Sequence, residues 1–230
     1  MAVSEGFIKI CGITSEDDAL LCAAMGADAI GFIFASGSPS QITPRRARDI
    51  ASRVPDGVLT VGVFRNEAPE RVVEIMYEAN LKCAQLHGHE TAEESRYVAE
   101  RVPAVIKVFD AGDPGVDRLS DYGAKIAMVD NAKPGSGEVF DWKLLDTNSS
   151  ARLLLAGGLG PDNVAHAIQS VRPWGVDAKS GLETEPQRKD PTKVRLFVHR
   201  AREAFAQLVP EDGEAVERTT GELIYDWLDE

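Results

Sequence analysis

Cys11 stands two residues after Lys9 in the run Phe7–Gly12, and Asp130 closes the run Ile126–Asp130. In an extended chain alternate side chains share a face, so Lys9 and Cys11 point one way, Ile8 and Ile10 the other. A third run, Trp174–Ser180, carries Asp177 and Lys179 at the same spacing, with Lys179 placed either to pair with Asp177 or to offer a free cation. A thiol and a carboxylate brought together can abstract one proton and donate another. The thiol is a base only as thiolate, which requires positive charge or a helix-end dipole beside it. Singly, each residue has a plainer use. A lone cysteine packs as a small hydrophobe, and a strand-end aspartate caps a turn.

Glycine-rich segments follow two of the apolar runs. Ala156-Gly157-Gly158-Leu159-Gly160 comes after Leu153, and Lys179-Ser180-Gly181 comes after Asp177. Such loops let peptide N–H groups approach an anion closely, so Gly157, Gly158, Ser180 and Gly181 are candidate phosphate contacts. A third segment, Pro134-Gly135-Ser136-Gly137, follows Asp130 and reads as an active-site lid. His87, in Gln85-Leu86-His87-Gly88, reads as a hydrogen-bonded structural residue outside the proton chemistry.

These residues must be held by repeating units of a short apolar run, a polar turn and an amphipathic stretch. Eight runs fit strands buried on both faces: Phe7–Gly12, Ala29–Phe34, Leu59–Phe64, Cys83–Gly88, Val105–Asp110, Ile126–Asp130, Leu153–Gly158 and Trp174–Ser180. Helix starts lie between them at Ser15, Thr43-Pro44, Ala68-Pro69, Thr91, Gly160-Pro161-Asp162 and Asp190-Pro191. After the fifth and sixth runs the helical signal is weaker, confined to Val116–Tyr122 and Phe140–Leu145. Eight such units in about 200 residues predict an α/β fold, a single (β/α)8 TIM barrel, over residues 1–208. An open dinucleotide-binding sheet is disfavoured, because Cys11-Gly12-Ile13-Thr14 is not its glycine fingerprint. Residues 209–230 form a short C-terminal extension, with Leu223, Ile224, Trp227 and Leu228 spaced for a docked or partner-binding helix. In such a barrel the active site lies at the carboxyl ends of the strands, where Cys11, Asp130 and both glycine-rich loops fall.

Composition narrows the partners. The net charge of −12 over 230 residues argues against nucleic acid and anionic membranes, which reward basic surfaces. The longest apolar runs fall well short of the ~20 residues of a membrane span. No charged-then-apolar leader opens the chain, so a cytoplasmic protein is expected. Three cysteines and four histidines show no disulfide framework and no metal-ligand spacing.

In order along the chain, Lys9-Ile10-Cys11-Gly12-Ile13-Thr14, Gly26-Ala27-Asp28-Ala29-Ile30-Gly31-Phe32, Val61-Gly62-Val63-Phe64, Gln85-Leu86-His87-Gly88, Gly135-Ser136-Gly137 with Phe140-Asp141-Trp142, Ala156-Gly157-Gly158-Leu159, and Val176-Asp177 with Ser180-Gly181-Leu182-Glu183 resemble the phosphoribosylanthranilate isomerase family of tryptophan biosynthesis. The resemblance runs from residue 7 to about 205 and leaves out the tail. It implies an Amadori rearrangement of an amine-linked aldose phosphate to the aminodeoxyketose, with Asp130 as general acid and Cys11 as general base. It further implies Asp177 as a substrate contact, loops seven and eight as the phosphate site, no metal and no redox cofactor. The expected partner is a small phosphosugar, bound by a monomer or homodimer.

Two departures bear on specificity. Where the family carries an arginine in the loop after strand two, this chain reads Ser38-Pro39-Ser40-Gln41-Ile42. Serine cannot reproduce a bidentate arginine–carboxylate contact, worth about 1.5–3 kcal/mol. The family's Ser-Ser-Gly after strand eight is Lys179-Ser180-Gly181 here, which puts a cation on the same strand face as Asp177. Three readings follow: the isomerase itself, a relative acting on another amine-linked sugar phosphate, and a barrel retired from catalysis. Lys9, Ser40, Asp177 and Lys179 are the candidate substrate contacts.

Overall fold

The computed structural model describes residues 6–130 and 152–208. The expected lid at 134–137, the short helix at 140–145 and the tail from 209 lie outside the described residues.

Eight parallel strands close into a barrel: β1 Phe7–Cys11, β2 Ala29–Ile33, β3 Leu59–Phe64, β4 Cys83–Leu86, β5 Val105–Asp110, β6 Ile126–Asp130, β7 Arg152–Leu155 and β8 Gly175–Ala178. β1 pairs with both β2 and β8, which completes the ring. The outer layer is α1 Glu16–Ala24, α2 Pro44–Ala51, α3 Pro69–Ala79, α4 Ala92–Ala99, a 3-10 segment Pro114–Tyr122, α5 Val164–Val171 and α6 Pro191–Ala206.

The helices begin where the side chains dictate. Ser15 accepts from the Asp18 amide, Thr43 from Arg46, and Asp190 from both Thr192 and Lys193. Thr91 and Glu94 form a reciprocal capping box at α4. Asn80 and Arg172, at φ 51° and 50°, end α3 and α5 in left-handed turns. After β5 the chain makes a 3-10 segment with a kink at Arg118, which accounts for the weak helical signal there.

Two apolar layers result from the two faces of each strand. Ile8, Ile10, Ile30 and Phe32 point outward and pack with Val194, Phe197 and Ala201 and the other helices. Phe7, Cys11, Ala29, Ile33, Val61, Val63, Ile106, Val108, Ile126, Met128 and Leu154 fill the barrel interior. Trp174 stacks on Phe7 at 4.5 Å at its floor. At that end the Arg202 guanidinium joins the Asp28 carboxylate to the Gly6 and Gly26 carbonyls, while Asp28 accepts the Ile8 amide, so α6 is tied to β1 and β2.

The strands after 152 are shorter than expected. β7 stops at Leu155, with Gly157 and Gly158 at φ 98° and 65°, and β8 stops at Ala178 before a 3-10 turn at Ser180–Leu182. Beyond that turn, β9 Glu183–Glu185 and β10 Arg188–Lys189 form an unexpected small antiparallel hairpin over the barrel end.

Candidate active site

The inward face of β1 presents Phe7, Lys9 and Cys11 in succession, so the thiol lies at the strand's carboxyl end as its spacing requires. Asp130 shares the phase of Ile126 and Met128, both interior residues, and closes β6 at the same end of the barrel. Both expected proton-transfer residues therefore face one interior from the same rim.

Lys9 is fully buried and its Nζ lies 2.8 Å from Asp177 Oδ1. The register of β1 against β8 sets Lys9 directly beside Asp177, leaving Lys179 one step further toward the mouth. Lys9, and not Lys179, is therefore the ion-pair partner of Asp177. Burial opposes the Lys9 charge, but Asp177 and then Cys11 outweigh it and hold the ammonium above its ordinary value. The interior is tight here: a methyl group on Gly31 would sit 2.9 Å from the Cys11 sulfur and 3.3 Å from Lys9 Nζ. Burial pushes the Cys11 thiol up, Lys9 pulls it down, Asp177 pushes it up again, and Lys189 and Lys179 pull it down, with a net rise.

Across the barrel, Asp130 Oδ2 lies 3.1 Å from His87 Nε2, and Gln85 Nε2 lies 3.2 Å from His87 Nδ1. His87 is thus a direct neighbour of the candidate acid, a role its sequence context did not reveal. Its loop is clamped from below. Lys107, buried on the outer face of β5, donates to the Gly88 carbonyl at 2.8 Å and to Glu90 at 2.9 Å. Glu90 in turn accepts the amides of Asn66 and Gly88. Burial raises the Glu90 carboxyl, yet the Lys107 hydrogen bond and charge and the Asn66 amide hold it below its ordinary value. A lysine set among the apolar residues of β5 was the available signal for this clamp.

The glycine-rich loops meet. A methyl on Gly181 would overlap the Leu159 carbonyl oxygen, and one on Gly160 would lie 3.5 Å from the Gly181 carbonyl, so loops seven and eight pack backbone to backbone. Asn163 folds loop seven, accepting from the Gly160 amide and donating to the Gly158 carbonyl. Gly158 and Ser180 are exposed, Gly157 and Gly181 half-buried. Lys189, 2% exposed, fixes loop eight by donating to the Lys179 carbonyl at 3.2 Å and to Glu183 at 3.0 Å.

Ser40 is buried, and its hydroxyl has no hydrogen-bond partner among the described residues, although its amide donates to Ser38 Oγ. Also among the described residues, no group of acidic, cysteine and histidine side chains could hold a metal ion, and no helix is long and apolar enough to cross a membrane.

The family described as N-(5'-phosphoribosyl)anthranilate (PRA) isomerase matches residues 8–200. The N-(5'-phosphoribosyl)anthranilate isomerase of Trichlorobacter lovleyi is 42% identical over 204 residues, covering 86% of this chain and 98% of that protein. The phosphoribosyl anthranilate isomerase of Thermotoga maritima superposes with a TM-score of 0.80 at 39% identity, covering 86% of this chain and 99% of the other. Another solved isomerase, in complex with reduced 1-(o-carboxyphenylamino)-1-deoxyribulose 5-phosphate, gives a TM-score of 0.77 at 38% identity over 86% of this chain and 99% of that one. With the closed eight-stranded barrel and the matched family in agreement, this chain belongs to the phosphoribosylanthranilate isomerase family.

Proposed function

We propose that the protein isomerises N-(5-phosphoribosyl)anthranilate to the 1-amino-1-deoxyribulose 5-phosphate by proton transfer between Asp130, Cys11 and the sugar. The observation that carries this reading is the shared inward phase of Cys11 and Asp130 at the rim, beside two loops that meet through glycine. Asp130 gives a proton to the furanose ring oxygen as the C1′–O bond breaks, and the amine nitrogen's lone pair forms a Schiff base. Cys11, as thiolate, then takes the C2′ proton, and the C–H electron pair moves toward the nitrogen to leave an enolamine. Loss of the C2′ hydroxyl proton and gain of a proton at C1′ give the ketone. Every step moves a proton or an electron pair within the substrate, so the chemistry needs no metal and no redox cofactor. Each transfer by a positioned group is worth about 10²–10⁴ in rate.

His87 holds the Asp130 carboxyl at 3.1 Å while the Lys107–Glu90 clamp holds the His87 loop. Gly157, Gly158, Ser180 and Gly181 are assigned to the phosphate, whose charge peptide N–H groups would meet in a chain of net charge −12. Lys9 and Asp177, joined as one ion pair, are assigned to the substrate's side of the barrel interior. Residues 1–208 are the catalytic domain and 209–230 an extension. The enzyme is assigned to the cytoplasm, as a monomer or homodimer acting on a small phosphosugar.

A second reading keeps the acid–base pair and changes the amine. It is favoured by Ser40, whose buried hydroxyl has no partner among the described residues and no charge to offer a carboxylate. The test is consumption of freshly made phosphoribosylanthranilate, followed by loss of its fluorescence, with other amine-linked pentose phosphates in parallel. Turnover of the anthranilate compound supports the first reading. Turnover of another amine alone supports the second, and inertness toward all overturns both.

A further inference from the structure

Cys11 has the wrong surroundings for a base unless one charge is accounted for. Four charged groups face it: Lys9 from its own strand, Asp177 and Lys179 from the end of β8, and Lys189 from the hairpin. From β2 the neighbour is Gly31, which brings no charge. Lys9, the strongest of the three cations on the thiol, is already shared with Asp177 at 2.8 Å, and Lys189 is paired with Glu183 at 3.0 Å. That leaves Lys179. Its ammonium makes no hydrogen bond or ion pair among the described residues, while its backbone carbonyl is pinned by Lys189.

Where the Lys179 side chain lies is fixed by Gly12. At φ 79° this residue follows Cys11, and a methyl group on it would sit 2.8 Å from Lys179 Cε and 3.1 Å from Cγ. The lysine's methylenes therefore occupy the space that a side chain at position 12 would fill, and carry the ammonium across the end of β1. A half-buried chain laid on a backbone groove holds its charge in place far better than a free surface lysine would.

We propose that Lys179 is a positioning residue for catalysis, supplying an unpaired positive charge that favours the thiolate form of Cys11 against the burial of its sulfur. The physical reason is that an opposite charge within about 4–6 Å favours the ionised form and lowers a thiol's titration point. Burial of the sulfur favours the neutral thiol, and the Lys179 charge opposes it. Burial does the same to Cys22 and Cys83, both pushed up to about 12, and neither is opposed by a lysine with a free charge. The inference rests on Cys11 being the base, and its test is read without substrate, so it can fail while the isomerase reading stands.

The experiment is the pH dependence of Cys11 alkylation by iodoacetamide in wild type, Lys179→Met and Lys179→Arg, located by peptide mass. Thiolate ultraviolet absorbance, wild type minus Cys11→Ser, reads the same midpoint wherever the reagent is slow to enter. Lys179→Met moves the midpoint up by about one pH unit, and Lys179→Arg returns it to the wild-type position. The rising limb of kcat/KM against pH moves with it, while KM at the plateau stays put. An unchanged or lowered midpoint in Lys179→Met overturns the proposal. A raised KM with an unmoved midpoint also overturns it, and makes Lys179 a contact to the substrate's anion instead.

Discussion

Lys9 is wholly buried and leans on one carboxylate, Asp177, at 2.8 Å. Replacing Asp177 by leucine removes the carboxylate and strands the ammonium inside the barrel. Breaking such a pair from one side costs about 3–5 kcal/mol. An independent ceiling comes from the lysine itself, which can escape by giving up its proton. At pH 7 that costs about 4.6 kcal/mol for a side chain that titrates near 10.4 in the unfolded chain. Asp177→Leu should therefore lose about 3–4.6 kcal/mol in urea unfolding at pH 7, and about 6–18 °C in Tm. The sign of the pH dependence follows. In this variant the folded-state lysine titrates below its unfolded value, so the deficit is full below the folded value and shrinks as pH climbs toward 10. Between pH 7 and 9 a neutral Lys9 would recover up to about 2.7 kcal/mol. The double variant Lys9→Met/Asp177→Leu removes both charges and should lie within about 1–2 kcal/mol of wild type. An Asp177→Leu deficit below about 1 kcal/mol, or one that grows with pH, would refute the claim that the pair is buried and mutually dependent.

Three further outcomes are expected. Glu90→Gln removes a carboxylate held below its ordinary value, whose stabilisation is complete above the unfolded glutamate range near ~4.3 and lost as pH falls through the folded value; acid titrations followed by circular dichroism should show the gap between wild type and variant closing below about pH 4. His87→Gln loosens the Asp130 carboxyl, so kcat should drop roughly ten- to a hundredfold with KM nearly unchanged, as a small misplacement of a reacting group does. Gly181→Ala drives the Leu159 carbonyl away and parts loops seven and eight, so inhibition by inorganic phosphate should weaken while the Cys11 titration stays where it was.

Much of this was legible in the chain because barrel strands are buried on both faces and advertise themselves as short apolar runs. β3, β5 and β6 begin and end where those runs do. β7 and β8 end earlier than their runs, because hydropathy does not register the left-handed glycines 157 and 158 or the turn begun by Ser180. The hairpin Glu183–Lys189 escaped notice for a different reason: it is short and polar, and is held by one buried lysine rather than by an apolar face. Within the site, two-residue periodicity put Lys9 with Cys11 and Asp177 with Lys179 on shared faces, and strand-end position put Asp130 at the same rim; that these faces look inward follows only from the closed barrel. Periodicity could not choose the partner of Asp177, which depends on the register between β1 and β8 once the ring is closed. The contact of His87 with Asp130 joins residues 43 positions apart and likewise exists only after closure.

Turnover by this barrel depends on the two proton-transfer groups. The direct measurement is kcat on freshly made phosphoribosylanthranilate for wild type, Cys11→Ser and Asp130→Asn, with urea unfolding run on the same samples. Wild type should turn over, and each variant should lose at least about a hundredfold in kcat while remaining folded. A folded Cys11→Ser or Asp130→Asn protein that keeps near wild-type turnover would contradict that dependence.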